Sequence, residues 1–316
     1  MTNSSKIAFL FPGQGAQYPG MAKDFFQAFA VARQTFEEAD DLLGRKLSTI
    51  IFEGPETELT ETKNSQVGIF VASMAILRVL QEQMPDLKPA VCAGLSLGEY
   101  TALCASGRLG FADTLRLVDQ RGRFMNDACE ETKGTMAVVL GLEGQEVEVL
   151  VNQLAMPHDI WSANFNCPGQ TVISGTARGI ELATAALKTK GAKRVLPLQV
   201  HGAFHSGLMA SAERRLKEYI QAALIKNSAI EFVMNVPGDF VSDTEEIKDN
   251  LIKQVTLPVR WEQGIRKMKQ KDVKTFVEIG CGKALSGFNK RIIADGISVS
   301  LEKISDLSAI EEMRIL

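Results

Sequence analysis

The sequence predicts an α/β fold, in which a large domain built on a parallel sheet carries a smaller inserted unit of order β-α-β-β-α-β. Two observations predict it. Three times an apolar, strand-like run passes through a glycine-containing turn into a helix-forming stretch: "KIAFLF" into "PGQGAQYPG", "AVCA" into "GLSLGEYTALCA", and "KTFVEI" into "GCGKALSGFNKRI". Strands that alternate with helices in this way build parallel sheets. Between Thr135 and Val200 the pattern changes to short strands close in sequence, with a helix before and after the central pair.

In chain order, "KIAFLF" is the first strand, and its turn leads into one helix containing "DFFQAFAVARQTFEEAD". The glycines of that turn do not make a dinucleotide fingerprint, because GxGxxG would need glycine where Tyr18 stands. "VGIFVASMAIL", Val67 to Leu77, reads as a buried core helix that stops at Arg78, short of the ~20 residues a membrane span needs. In the changed region, "TMAVVLGL" is a strand, "EGQEVEVLVNQLA" a helix, "IWSANFN" and "QTVISG" two strands, "RGIELATAALKTKG" a helix and "KRVLPLQV" a strand. That order is the ferredoxin-like unit, which closes on itself and so can be inserted. The expected organisation is therefore a discontinuous α/β catalytic domain, 1–132 and 200–316, around a ferredoxin-like subdomain, 133–199.

Composition narrows the function classes. The chain has 316 residues, 45% hydrophobic and 23% charged, with a formal net charge of -3, so no overall field favours nucleic acid or a membrane surface. Cys92, Cys104, Cys129, Cys167 and Cys281 are odd in number, far apart and without a CxxC pair; they read as reduced, mostly buried thiols of a cytoplasmic protein. The start, "MTNSSKIAFLFPGQG", has too short an apolar run for a signal peptide.

The chemistry begins at "GLSLG". A GxSxG sequence between a strand and a helix is a nucleophile elbow, which presents Ser96 at the top of a sheet from a helix N-terminus. A serine capping a helix after a strand is also ordinary structure, so the chain must supply a base as well. It holds three histidines. His158 reads as a surface loop residue; His201 and His205 stand four apart in "VHGAFHSGLM", without the third ligand a metal site needs. One of these two is the candidate base. No acid falls where a hydrolase triad wants one: Asp113, Asp119 and Asp127 lie on the polar face of one helix, Asp159 opens a strand of the insertion, and Glu143 starts a helix. The imidazole is thus expected to be oriented by something else, such as a backbone carbonyl. In the helix "DTLRLVDQRGRFMNDA", Arg121 falls in the middle of the apolar half defined by Leu115, Leu117, Val118, Phe124 and Met125. A buried guanidinium needs a partner, which is either an internal glutamate or a carboxylate on the substrate.

Taken together, "FPGQGAQ", "GLSLGEY", "QRGRFM", "ANFNCPGQTVISG", "GAFHSGLM", "LPVRW" and "VEIGCGKAL", in order over nearly the whole chain, resemble the malonyl-CoA:acyl carrier protein transacylases of type II fatty-acid synthesis. The resemblance implies a hydrolase-like α/β domain with an inserted ferredoxin-like subdomain. It implies Ser96 as nucleophile, His205 as base and His201 as bystander, the amides of Gln14 and Leu97 as oxyanion hole, and Arg121 as the grip on the malonyl carboxylate. Gln66 and Phe204 would line the pocket, and the main-chain carbonyl of Gln254 would orient the histidine. Malonyl-CoA and acyl carrier protein are the implied partners, with no metal or organic cofactor and a monomeric enzyme. Leu95 departs from the family's usual histidine, and Cys281 from its usual proline. Carrier protein, typically acidic, is expected to meet a local basic patch: Lys188, Lys190, Lys193 and Arg194, or Lys290 and Arg291. The competing readings are a serine thioesterase or esterase, a trans-acting acyltransferase of polyketide synthesis, and a non-enzymatic scaffold that docks carrier protein.

Overall fold

A computed structural model describes residues 6–200 and 202–315 and holds two sheets. The larger contains β1 (Lys6–Phe11), β2 (Val91–Gly94), β7 (Glu231–Met234), β8 (Asp239–Phe240), β9 (Val273–Ile279) and β10 (Ile297–Leu301), in the order β10-β9-β1-β2-β7-β8. Every pairing in it is parallel except β7 with β8. The smaller contains β3 (Thr135–Leu140), β4 (Ile160–Cys167), β5 (Gln170–Gly175) and β6 (Arg194–Pro197), antiparallel throughout, in the order β4-β5-β3-β6. The α/β class with a parallel-sheet core is therefore as the sequence predicts, and the smaller sheet takes all its strands from 135–197.

Parallel strands end on one edge of their sheet, and that positions the site. Phe11 pairs with Gly94 and Leu10 with Glu278, so the loops leaving β1, β2 and β9 emerge side by side. β7 ends beside them at Met234, just before Asn235. The smaller sheet is strapped across this edge. Phe165 N–H donates to the Val259 carbonyl and Val259 N–H to that of Ala163, both at 2.8 Å, and Arg260 pairs with Glu148 at 2.8 Å.

Three local expectations are corrected. "DFFQAFAVARQTFEEAD" is not one helix: Phe29, with φ -120° and ψ 129°, separates Lys23–Ala28 from Ala30–Leu43. The buried helix runs Thr62–Gln83 and does not stop at Arg78. That guanidinium leaves the core to bond Glu38 at 2.8 Å and to cover the Phe111 ring at 4.4 Å, so it costs the helix no buried charge. Asp119 is not on an open polar face but buried, paired with Arg45 at 3.6 Å and Arg123 at 2.9 Å. Among the described residues no helix is long and apolar enough to cross a membrane.

Candidate active site

Two residues separate β2 from the helix Leu97–Ala105, and Ser96 takes up the bend at φ 54° and ψ -105°. A serine seldom adopts such a backbone unless its surroundings enforce it. Here Ser96 N–H donates to Asn235 Oδ1 at 2.6 Å, while Asn235 Nδ2 donates to the Gly94 carbonyl at 2.7 Å. The flanking glycines are required by space: a Cβ on Gly94 would run into the backbone of Gly98, and one on Gly98 into the carbonyl of Phe11.

His205 Nε2 lies 2.8 Å from Ser96 Oγ. Its Nδ1 lies 2.8 Å from the Gln254 carbonyl and 3.2 Å from that of Leu257. Carbonyl oxygens only accept, so Nδ1 carries the proton and the Nε2 lone pair faces the hydroxyl. Burial, and then the charge of Arg121, push the His205 pKa down to about 4, with the two carbonyls pulling it back up. The imidazole is therefore neutral at neutral pH. The acids considered from sequence lie elsewhere: Asp113 pairs with Arg116 and Asp127 with Arg215, Asp159 accepts from Thr176 Oγ1, and Glu143 caps the helix Gly144–Gln153.

Arg121 is wholly buried. It is not bonded directly by the internal glutamate expected from sequence. Its Nη1 donates to Gln66 Oε1 at 2.6 Å, and its Nη2 to Ser96 Oγ at 3.1 Å and Gln254 Oε1 at 2.9 Å, while Nε has no partner. No carboxylate bonds the guanidinium directly; the buried Glu99 acts on it through space and through the Gln254 amide. Gln66 Nε2 donates to Gln14 Oε1 and Gln14 Nε2 to Thr62 Oγ1, both at 3.3 Å, so the guanidinium is linked by side-chain amides to the loop after β1. The backbone amides of Gln14 and Leu97 donate to no other described residue. Gln14, Leu95, Ser96, Phe204 and His205 line a cleft of about 430 Å³, whose opposite wall is formed by Met136, Asn164, Val172 and Leu198 from the smaller sheet and its flank.

Sequence reasoning missed Asn235, Glu99 and the side chain of Gln254. Glu99 is fully buried; its Oε1 accepts from Asn235 N–H at 2.5 Å and its Oε2 from Gln254 Nε2 at 2.6 Å. A signal existed for it, because Glu99 is the only charged residue between Lys88 and Arg108. His158 is exposed, and His201 lies outside the described residues. Leu95 brings an apolar side chain to the cleft, and its N–H donates to the Phe11 carbonyl at 3.1 Å. Cys281 is buried between two glycines with positive φ, and burial pushes its thiol up to about 12. Lys188, Lys190, Lys193, Arg194, Lys290 and Arg291 are all exposed. Arg291 is not free: it donates to the Pro168 carbonyl at 2.5 Å and to Gln170 Oε1 at 3.0 Å.

Residues 8–287 match the family described as the acyl transferase domain. The malonyl CoA-acyl carrier protein transacylase of Bacillus subtilis (strain 168) is 45% identical over 289 residues, covering 91% of this chain and 90% of its own. The chain belongs to the malonyl CoA-acyl carrier protein transacylase family. The transacylase of Escherichia coli (strain K12) is 37% identical over 309 residues, 98% of this chain and all of its own. Among solved structures, the acyl carrier protein S-malonyltransferase of Vibrio cholerae is similar with a TM-score of 0.92 at 37% identity, over 97% of this chain and 100% of that one. A malonyl-transacylase solved in complex with its type II PKS acyl-carrier protein has a TM-score of 0.93 at 36% identity, over 98% of this chain and 100% of that one. The transacylase membership and fold implied by the sequence resemblance are thus borne out.

Proposed function

We propose that this transacylase moves the malonyl group of malonyl-CoA to the phosphopantetheine thiol of acyl carrier protein, through a malonyl ester on Ser96, in fatty-acid biosynthesis. The observation that carries the reading is Arg121, a buried cation to which no carboxylate is bonded and whose Nη2 lies 3.1 Å from the candidate nucleophile. A thioesterase acting on neutral acyl groups has no use for it. A substrate with a free carboxylate one methylene away from its reacting carbonyl does.

In the first half-reaction Ser96 Oγ attacks the thioester carbonyl carbon while its proton passes to His205 Nε2 over the 2.8 Å contact. The oxyanion takes the amides of Gln14 and Leu97, and Arg121 holds the carboxylate, with Gln66 and Phe204 shaping the pocket around it. The C–S bond then breaks and CoA leaves as the thiol with the proton from His205. In the second half-reaction the pantetheine thiol gives its proton to His205 and attacks the ester, and the proton returns to Ser96 as the new thioester departs. His205 keeps one orientation throughout because Nδ1 stays on the Gln254 carbonyl, which does the work a triad acid does elsewhere.

In this reading the α/β domain of 1–132 and 200–316 supplies the chemistry, and the subdomain of 133–199 supplies the facing wall of the cleft. The enzyme works as a cytoplasmic monomer, calls on no metal or organic cofactor, and meets carrier protein near Lys290 and Arg291. Two comparisons test it. Incubation with malonyl-CoA should add one malonyl group to the intact mass, located by peptide mapping on Ser96 and absent from Ser96→Ala. Release of free malonate as fast as carrier protein is loaded would favour the thioesterase instead.

A further inference from the structure

Arg121 can grip a carboxylate only if its guanidinium is held in place, and one holder is the side-chain amide of Gln254. An amide has two ends, and nothing in glutamine itself decides which one faces the arginine. The decision is made on the far side. Gln254 Oε1 accepts from Arg121 Nη2 at 2.9 Å, while Gln254 Nε2 donates to the Ser96 carbonyl at 2.8 Å and to Glu99 Oε2 at 2.6 Å. Glu99 cannot turn away, because its other oxygen is fixed by a main-chain donor, Asn235 N–H. All three side chains are buried, so no water substitutes for a lost bond.

We propose that Glu99 is a positioning residue for substrate selectivity, which sets the Gln254 amide so that its oxygen holds Arg121 in register for the substrate carboxylate. The proposal rests on the malonyl-transfer reading. It explains why an acid, and not an amide, occupies the one charged position of an otherwise apolar helix start. Glutamine at 99 would give its oxygen to Asn235 N–H and turn its NH₂ toward Gln254 Nε2, donor against donor. If Gln254 then rotated to accept from it, its own NH₂ would face Arg121, which has no acceptor. In either arrangement Gln254 loses a bond and the guanidinium loses a fixed holder. The His205 contact involves the Gln254 main-chain carbonyl, so the base is reached by a different atom of the same residue.

The experiment measures loading of Ser96 by malonyl-CoA and by acetyl-CoA, each by time-resolved intact mass, in wild type, Glu99→Gln, Gln254→Met and the double variant, with thermal melts as a check on folding. Wild-type loading with malonyl establishes the underlying reading; its absence would sink that reading and not this one alone. Glu99→Gln should lower the malonyl-to-acetyl ratio of kcat/KM by about tenfold to a hundredfold, the range expected for one hydrogen bond to a charged group, chiefly through KM for malonyl-CoA. Gln254→Met should lower it similarly, and adding Glu99→Gln to Gln254→Met should change it no further. Equal losses for the two substrates, additive effects in the double variant, or an unchanged ratio in Gln254→Met would each overturn the proposal. The last measurement stands even if Glu99→Gln fails to fold.

Discussion

Replacing Arg121 by methionine should raise the pKa of His205, and the size of the effect follows from the site. Ser96 Oγ lies 2.8 Å from His205 Nε2 and 3.1 Å from Arg121 Nη2, which caps the separation of the two nitrogens at about 6 Å. Two unit charges at about 6 Å repel by about 3 kcal/mol at an effective dielectric of about 20, or about two pH units. Because each charge is spread over its group, the expected shift is between about one and two units. Arg121 is the second cause of a pKa lying near 4; burial is the first and remains in the variant. The variant should therefore titrate between about 5 and 6, still below the ordinary 6.5. Methionine keeps much of the side-chain volume and removes the charge.

The assay is the pH dependence of kcat/KM for Ser96 acylation by acetyl-CoA, a substrate with no carboxylate to lose its grip. This quantity reports the free enzyme's essential base. In the proposed mechanism only neutral His205 accepts the serine proton, so the rate falls on the acid side of its pKa. In Arg121→Met that limb should move to higher pH. A limb that stays where it is in wild type, or moves to lower pH, would refute the electrostatic argument.

Three further outcomes are expected. His205, with a pKa of about 4 folded against 6.5 as its ordinary value, contributes stability that is complete above pH 6.5 and lost as pH falls through 4, roughly 3 kcal/mol in all. Glu99 is pushed up by burial, against the two N–H donors that hold it as a carboxylate, and works the other way at higher pH, so urea melts of wild type must be compared with those of His205→Gln, which should lose less stability on acidification. Gly98→Ala forces a methyl group into the Phe11 carbonyl and within 2.8 Å of the Pro12 oxygen; it should cost about 1–3 kcal/mol or more in a thermal melt and disturb the loop carrying Gln14. Lys290→Glu should raise KM for carrier protein and weaken its salt dependence with the CoA half-reaction near wild type; Lys290 is the cleaner probe, because Arg291 also holds the turn at Pro168.

The parts of the site legible in the sequence are those whose signal is local. Ser96 is announced by the two glycines that let a strand meet a helix, Arg121 by its place on a helix wheel, and His205 by the scarcity of histidines. The smaller sheet was legible for the same reason, its central pair being joined through a tight turn. Asn235 and Glu99 gave no such signal. Asn235 reaches Ser96 across 139 residues and Gln254 reaches Glu99 across 155, contacts that exist only once β2 and β7 lie side by side. β7 itself is only four residues long, too short for an alternating pattern to stand out. The break at Phe29 escaped because the residues on both sides favour helix equally.

Under the proposed mechanism the charge that selects the substrate also weakens the base, and the substrate itself can reverse this. In the free enzyme Arg121 repels a proton from His205. Under the proposed mechanism, a bound malonyl carboxylate pairs with Arg121 and cancels most of that repulsion, so the imidazole becomes more basic just when the serine proton must be taken. A neutral acyl group brings no such compensation and meets the weaker base. Discrimination then has a kinetic component beyond the ionic contact, and it has a signature. For malonyl-CoA the acid limb of the single-turnover acylation rate at saturation, which reports the complex, should lie about one to two units above the limb of kcat/KM, which reports free enzyme. For acetyl-CoA the two limbs should coincide. Coincident limbs for malonyl-CoA as well would mean that its carboxylate leaves the field at His205 unchanged, and that Arg121 acts by binding alone.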